Sequence, residues 1–193
     1  MAARAPLTID VGRGLLEQAR HVPSPNQDAR PPGASIDLVV VHGIGMPPGE
    51  FGGPWVEALF LNRLPWDEHP FFKSIEGLTV SAHVFVRRDG TLTQFVPFHA
   101  RAWHAGASSW RHRTACNDFS VGIELEGADE VPYEGAQYEA LAALVAALRR
   151  AYPTLAPDAI AGHSDVAPGR KTDPGPAFDW PRLHRRLAEL EAA

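Results

Sequence analysis

Cysteine is almost missing from this sequence. Its single residue, Cys116, excludes any disulfide within the chain and suits a reducing compartment. Nothing approaches the roughly 18 consecutive apolar residues of a membrane-spanning helix. Met1–Gln18 lacks the unbroken apolar centre of a secretory signal, because Asp10, Arg13 and Glu17 interrupt it. A basic excess is lacking too: the formal net charge is −5 with Lys and Arg scattered, which argues against nucleic acid as a partner. There is no internal repeat. These absences lead to the expectation of a cytoplasmic protein that engages neither membrane nor nucleic acid and has no obligate protein partner.

What is present fits one domain. At 193 residues, 45% hydrophobic and 21% charged, the chain has the size and composition of a single core, and its 18 Pro and 17 Gly predict many loops. The expected layout is an extended N-terminal wrap over 1–36, a core over 37–183, and the end of a C-terminal helix over 184–193. Leu15–Arg20 reads as a short helical turn, and the following VPSPNQDARPPG as a surface wrap rather than a core element. Asp37–Val41 is a short β-branched apolar run, hence a buried central strand that ends at His42. A Gly- and Pro-rich loop follows from Gly43 to Pro54. Trp55–Leu64 has the spacing of a one-faced helix ended by Pro65.

Thr79–Arg87 alternates as a strand, Asp89-Gly90 supplies hairpin chemistry, and Thr91–Pro97 returns as the next strand. Ser120–Glu126 alternates likewise. Glu134–Tyr152 carries Tyr138, Leu141, Leu144, Val145 and Leu148 at helical spacing and stops at Pro153. Asp179 caps a last helix with Pro181 in its first turn and Leu183, Leu187 and Leu190 on one face. The fold class is therefore α/β, a mixed central sheet flanked by helices.

The chemistry gathers in Ala161–Gly175, AGHSDVAPGRKTDPG, a loop that brings His163, Lys171 and Asp173 together. An imidazole and a carboxylate are ordinary Zn²⁺ ligands, and a site with three protein ligands keeps a position open for water. The plainer alternative is a surface pair. His42 and His163 each end an apolar segment, and each is either a hydrogen-bonded structural histidine or a ligand. His83 reads as a satisfied core histidine and His104 in WHAG as a cleft residue, while His21, His69, His99, His112 and His184 receive no ligand role. Glu124 and Glu126 lie on the face opposite Val121, Ile123 and Leu125. That face is either solvated or turned into the pocket, where Glu124 would serve as a general base. Lys171 is either solvated or an oxyanion stabiliser. Trp103, Trp110 and Phe119 are core aromatics or a groove wall, and Cys116 a small buried residue.

Taken in order, LVVVHGIGMPPGEFGGPW, VSAHVFVRRDG, RAWHAG, CNDFSVGIELEG and GHSDVAPGRKTDPGPAFDW resemble the signatures of AmpD-type 1,6-anhydro-N-acetylmuramyl-L-alanine amidases. That family is related to T7-type lysozyme and peptidoglycan recognition proteins, and the resemblance covers Val22 to Leu183. It implies Zn²⁺ held by His42, His163 and Asp173, with Glu124 and Lys171 as the catalytic pair. It also implies an anhydro-muropeptide substrate, in cytosolic recycling of wall fragments whose loss can induce a β-lactamase. Against the enterobacterial pattern, Gly43 replaces Asn, Ser164 replaces Cys, Thr79 and Ala115 replace Arg, and Phe71 stands where some members have Tyr. Trp103 and His104 are groove candidates, and Arg111 or Arg113 is expected to compensate for the lost arginines by gripping a substrate carboxylate. Two other functions are weighed: a non-catalytic module for wall fragments, disfavoured by the full ligand set and Lys171, and an amidase of intact peptidoglycan.

Overall fold

The computed structural model describes residues 6–192, so the first part of the Met1–Gln18 stretch and Ala193 fall outside the described residues. Short strands open the chain: Ile9–Asp10 (β1) pairs antiparallel with Leu15–Leu16 (β2), followed by Arg20–His21 (β3) and Gln27–Ala29 (β4). The helical turn expected over Leu15–Arg20 is therefore replaced by strand, turn and strand. Gly14 has φ +66°, and the Leu16 amide donates to Gln94 Oε1 at 2.7 Å. A long-range hydrogen bond outweighs a weak local preference.

The wrap is extended as expected, yet it is part of the core. Ser24 and Asn26 are buried, and Asn26 bonds the carbonyls of Phe60 and Val80. Arg30 reaches inward to the carbonyls of Phe98, Asn117, Asp118 and Ser120. Burial lowers its pKa to about 10, so the guanidinium stays charged, and those carbonyls satisfy it.

The remaining strands are Leu38–Ile44 (β5), Val84–Val86 (β6), Leu92–Gln94 (β7), Ala100–Ala102 (β8), Ser109–Trp110 (β9), Arg113–Thr114 (β10), Ser120–Glu126 (β11) and Ile160–Gly162 (β12), of which β5 and β11 are the long ones. The main sheet has the order β12-β5-β11-β6-β7-β3, while β4 pairs with β8 and β9 with β10. β5 is parallel to β11 and β12, β6 is parallel to β11, and β7 returns antiparallel to β6 as the Asp89-Gly90 hairpin. The sheet is mixed, as the sequence pattern requires. Thr79–His83 lies outside the ladder, which shortens the expected strand to β6.

Trp55–Phe60 (α1) ends before Pro65, because Asn62 turns the chain at φ 57°. Pro70–Ser74 (α2) follows, with His69 Nδ1 accepting from the Phe71 amide at 3.1 Å as its cap. Gly135–Ala151 (α3) starts at Glu134 with a reciprocal Gln137 cap and buries Tyr138, Leu141, Leu144, Val145 and Leu148. His163–Val166 (α4) springs directly from β12. Trp180–Glu191 (α5) is capped by Asp179 and packs against α3 through Leu183 and Leu187.

Strand parity decides what the site receives. Val39, Val41, Val121, Ile123 and Leu125 pack toward α3 and α5. Successive side chains alternate faces, so His42 and Glu124 project from the opposite face. In the parallel register they are direct neighbours.

Candidate functional site

The sequence places His42 at the end of a strand, but β5 continues to Ile44, so the imidazole is fixed inside the ladder beside Glu124. His163 is the first residue of α4. The loop after α4 returns to it: the Ser164 amide donates to the Asp173 carbonyl at 2.9 Å, and the Lys171 amide to the Ala167 carbonyl at 3.1 Å. Tyr133 secures the far side by donating at 2.9 Å to the carbonyl of Pro174. Three side chains from two distant parts of the chain, His42 and the His163–Asp173 segment, thus converge.

His42 Nδ1 lies 2.9 Å from His163 Nδ1 and 3.2 Å from Asp173 Oδ2, and His163 Nδ1 lies 3.1 Å from Asp173 Oδ2. Donor atoms sharing a tetrahedral centre at about 2.0–2.2 Å stand roughly 3.3–3.6 Å apart. The observed triangle is close to one face of such a set. Burial lowers the pKa of His42 to about 4, partly opposed by Asp173, which keeps the imidazole neutral near pH 7. Burial works against ionisation of Asp173, but His163 and His42 outweigh it and hold the carboxyl far below its usual range. A neutral His42 imidazole and an ionised Asp173 carboxylate are the protonation states that a divalent cation requires of them. The residues fit a metal.

Glu124 Oε1 stands 3.9 Å from His42 Nδ1, while its Oε2 is buried with no hydrogen-bond partner among the described residues. Burial, then the Asp173 carboxylate, raises its pKa well above the ordinary carboxyl value, with Lys171 opposing. Such a group is an uncommitted proton acceptor. Glu126, two residues on, has a different task. It accepts from the amides of Gly52 and Arg88 and pairs with Arg87, tying the Gly43–Pro54 loop to the sheet.

The cluster opens into a cleft of about 680 Å³. Its polar lining includes His104, Glu124, Asp129, Glu130, His163, Lys171 and Asp173, and its apolar lining Ile44, Met46, Leu59, Phe60, Phe71, Ile75, Leu78 and Val80. This is the crevice beyond the carboxyl ends of parallel strands, a usual ligand position in α/β sheets. His104 lies in the cleft as expected, and His83 is a satisfied core histidine, with Nδ1 accepting from the Gly122 amide and Nε2 facing the Ala100 carbonyl. Cys116 is buried.

Three groove candidates stand elsewhere. Trp103 is half-buried, its amide donating to Ser81 Oγ and its carbonyl accepting from the Ser81 amide, outside the residues that line the cleft. Arg111 pairs with Asp158 at 2.6 Å, and Arg113 pairs with Asp37 at 2.6 Å while lying over the Phe119 ring. Asp37 precedes β5 and Asp158 precedes β12. Both arginines therefore sit at the starts of the strands whose far ends carry the cluster, roughly 16 Å away for five residues of strand. The carboxylates that hold them are distant in sequence, which is why their motif neighbourhood misleads. Sequence reasoning passed over Asp129, Glu130 and Tyr133 entirely; only Gly43 and Gly127, whose missing side chains admit the Tyr133 ring, signal its approach.

A family model described as N-acetylmuramoyl-L-alanine amidase matches residues 32–176. The chain is 58% identical over 174 residues to 1,6-anhydro-N-acetylmuramyl-L-alanine amidase AmpD of Enterobacter cloacae, covering 90% of this chain and 92% of the relative. A crystal structure of a selenomethionine AmpD derivative superposes with a TM-score of 0.89 at 52% identity, covering 93% of this chain and 98% of that one. The Escherichia coli amidase AmiD, solved with anhydro-N-acetylmuramic acid-L-Ala-D-γ-Glu-L-Lys, is similar at a TM-score of 0.58 and 30% identity, covering 81% of this chain and 60% of that one. Among the described residues no helix is long and apolar enough to cross a membrane. The matched span contains His42, Glu124, His163, Lys171 and Asp173, and the chain belongs to the N-acetylmuramoyl-L-alanine amidase family.

Proposed function

We propose that the chain hydrolyses the amide joining the lactyl group of 1,6-anhydro-N-acetylmuramic acid to L-alanine of the stem peptide. His42, His163 and Asp173 are its Zn²⁺ ligands, and muropeptide recycling in the cytoplasm is its setting. The observation that carries this reading is the triangle of donor atoms with the partnerless Glu124 carboxyl beside it. Support for the substrate comes from the names of the AmpD relatives and from the muropeptide held by AmiD. The apolar lining of the cleft suits the sugar and lactyl methyl.

Zinc, when bound, supplies Lewis acidity that polarises a carbonyl and acidifies water. The remaining work falls to the chain. Glu124 takes a proton from the attacking water as its oxygen bonds to the lactyl carbon. The same carboxyl then gives that proton to the alanine nitrogen as the C–N bond breaks, leaving a lactyl carboxylic acid and a free peptide amine; the acid's remaining proton passes to the amine, so that the products are a carboxylate and an ammonium. Lys171 steadies the negative charge that grows on the carbonyl oxygen.

The test is incubation of the zinc-loaded protein with anhydro-muropeptide and with intact sacculi, followed by product analysis. Release of the stem peptide from the anhydro substrate is expected. Cleavage of sacculi alone would transfer the activity to intact peptidoglycan, and binding without cleavage would make the chain a receptor for wall fragments.

A further inference from the structure

His163 Nε2 lies 3.2 Å from the Ala105 carbonyl. A carbonyl only accepts, so this nitrogen carries the hydrogen and Nδ1 presents a lone pair to the cluster. His42 is fixed by the preceding residue: its Nε2 lies 2.9 Å from His104 Nδ1, and His104 Nε2 lies 3.1 Å from Ser120 Oγ. Two proton arrangements satisfy this second chain. In one, the hydrogens point outward, from His42 to His104 and from His104 to Ser120. In the other they point inward, and His42 then carries a hydrogen on Nδ1, where a cation would bind.

We propose that the His104–Ala105 dipeptide is the positioning unit for both imidazole ligands, and that His104, backed by Ser120, holds His42 in the tautomer whose Nδ1 can ligate. The proposal rests on the metal reading of His42, His163 and Asp173. The dipeptide is itself immobilised. Asn117 Oδ1 accepts from the amides of His104 at 3.2 Å and Ala105 at 2.8 Å. The Arg170 guanidinium donates to the Ala105 and Ala107 carbonyls. The His104 ring lies directly on Gly122, where a Cβ would come within 2.4 Å of its Cγ. One peptide unit therefore orients two ligands, so displacing it misaligns both.

Nitrogen-15 NMR of the histidine rings in the zinc-loaded protein tests the assignment. Hydrogen on Nε2 of His42, His104 and His163 is expected. Hydrogen on Nδ1 of His104 with zinc bound would overturn the proposal alone, whereas failure of the unsubstituted protein to bind zinc would overturn the metal reading. Zinc affinity by chelator competition adds a second readout. His104→Phe is expected to weaken zinc about 10–100-fold, and His104→Asn, whose Oδ1 can stand where Nδ1 stood, to recover most of the loss. Undiminished affinity in His104→Phe would overturn the proposal, and the ring NMR decides it without a variant should His104→Phe fail to fold.

Discussion

Gly43→Ala tests how tightly the loop that carries Asp173 is held. A Cβ at residue 43 would lie 2.2 Å from the Tyr133 hydroxyl oxygen, but 3.5 Å from Tyr133 Cζ and from Pro174 Cα. The first distance is impossible and the other two are ordinary contacts. The phenol must move, and with it goes the 2.9 Å hydrogen bond to Pro174, the residue after Asp173. Overpacking of this kind costs about 1–3 kcal/mol, and the lost hydrogen bond about 0.5–1.5 kcal/mol. A domain of this size loses about 2–4 °C of Tm per kcal/mol, so Gly43→Ala should lower Tm by roughly 3–18 °C. Tyr133→Phe removes the only atom inside contact distance. In that background, adding Gly43→Ala should cost less than about 1 kcal/mol, leaving a coupling of about 1–3 kcal/mol between the sites. Thermal unfolding of the four metal-free proteins measures this. Equal destabilisation by Gly43→Ala in both backgrounds would refute the steric argument.

Glu124→Ala should lower kcat by at least about a hundredfold while zinc stays bound, as loss of a general base does; unchanged turnover would remove Glu124 from the mechanism. Arg113→Ala should leave KM unaltered, because its guanidinium is committed to Asp37 at 2.6 Å; a raised KM would return that arginine to the substrate. Acid stability of the metal-free protein follows from opposed shifts. His42, His83 and His104 are held below the ordinary 6.5, His42 at about 4, so their contribution is complete above pH 6.5 and is lost as pH falls. Glu124 is held above its ordinary 4.5, so its contribution is complete below pH 4.5 and is lost as pH rises through its folded value. Between pH 7 and 5 the unsubstituted protein therefore regains from Glu124 part of what it loses at the histidines. The Glu124→Gln variant lacks that offset and should lose Tm more steeply, and parallel curves would contradict the burial argument.

Local periodicity made the long elements legible. Val121, Ile123 and Leu125 alternate over β11, and Leu141, Leu144 and Leu148 repeat over α3, so both are found with their ends nearly right. The residues of the His42, His163 and Asp173 cluster are readable as candidates because each follows an apolar strand or sits in a loop that Pro and Gly keep irregular. Their convergence was not readable from the residues themselves, since the pairing of His42 with Glu124 is a matter of parallel register between strands some 80 residues apart. Two-residue strands such as β1 and β2 carry too little pattern to be found. They exist because Leu16 meets Gln94. Arg111 and Arg113 were misplaced for the same reason, their destinations being set by Asp158 and Asp37 rather than by their neighbours. Asn117 and Ala105 give no sequence signal at all, because their part is played through a side-chain oxygen and a backbone carbonyl.

The account depends on one ion joining His42, His163 and Asp173, and anomalous scattering at the zinc edge from zinc-loaded crystals tests that most directly. The predicted result is a single peak beside the cleft, about 2.0–2.2 Å from His42 Nδ1, His163 Nδ1 and Asp173 Oδ2. A zinc peak held by other residues, or none between these three atoms at saturating zinc, would contradict it.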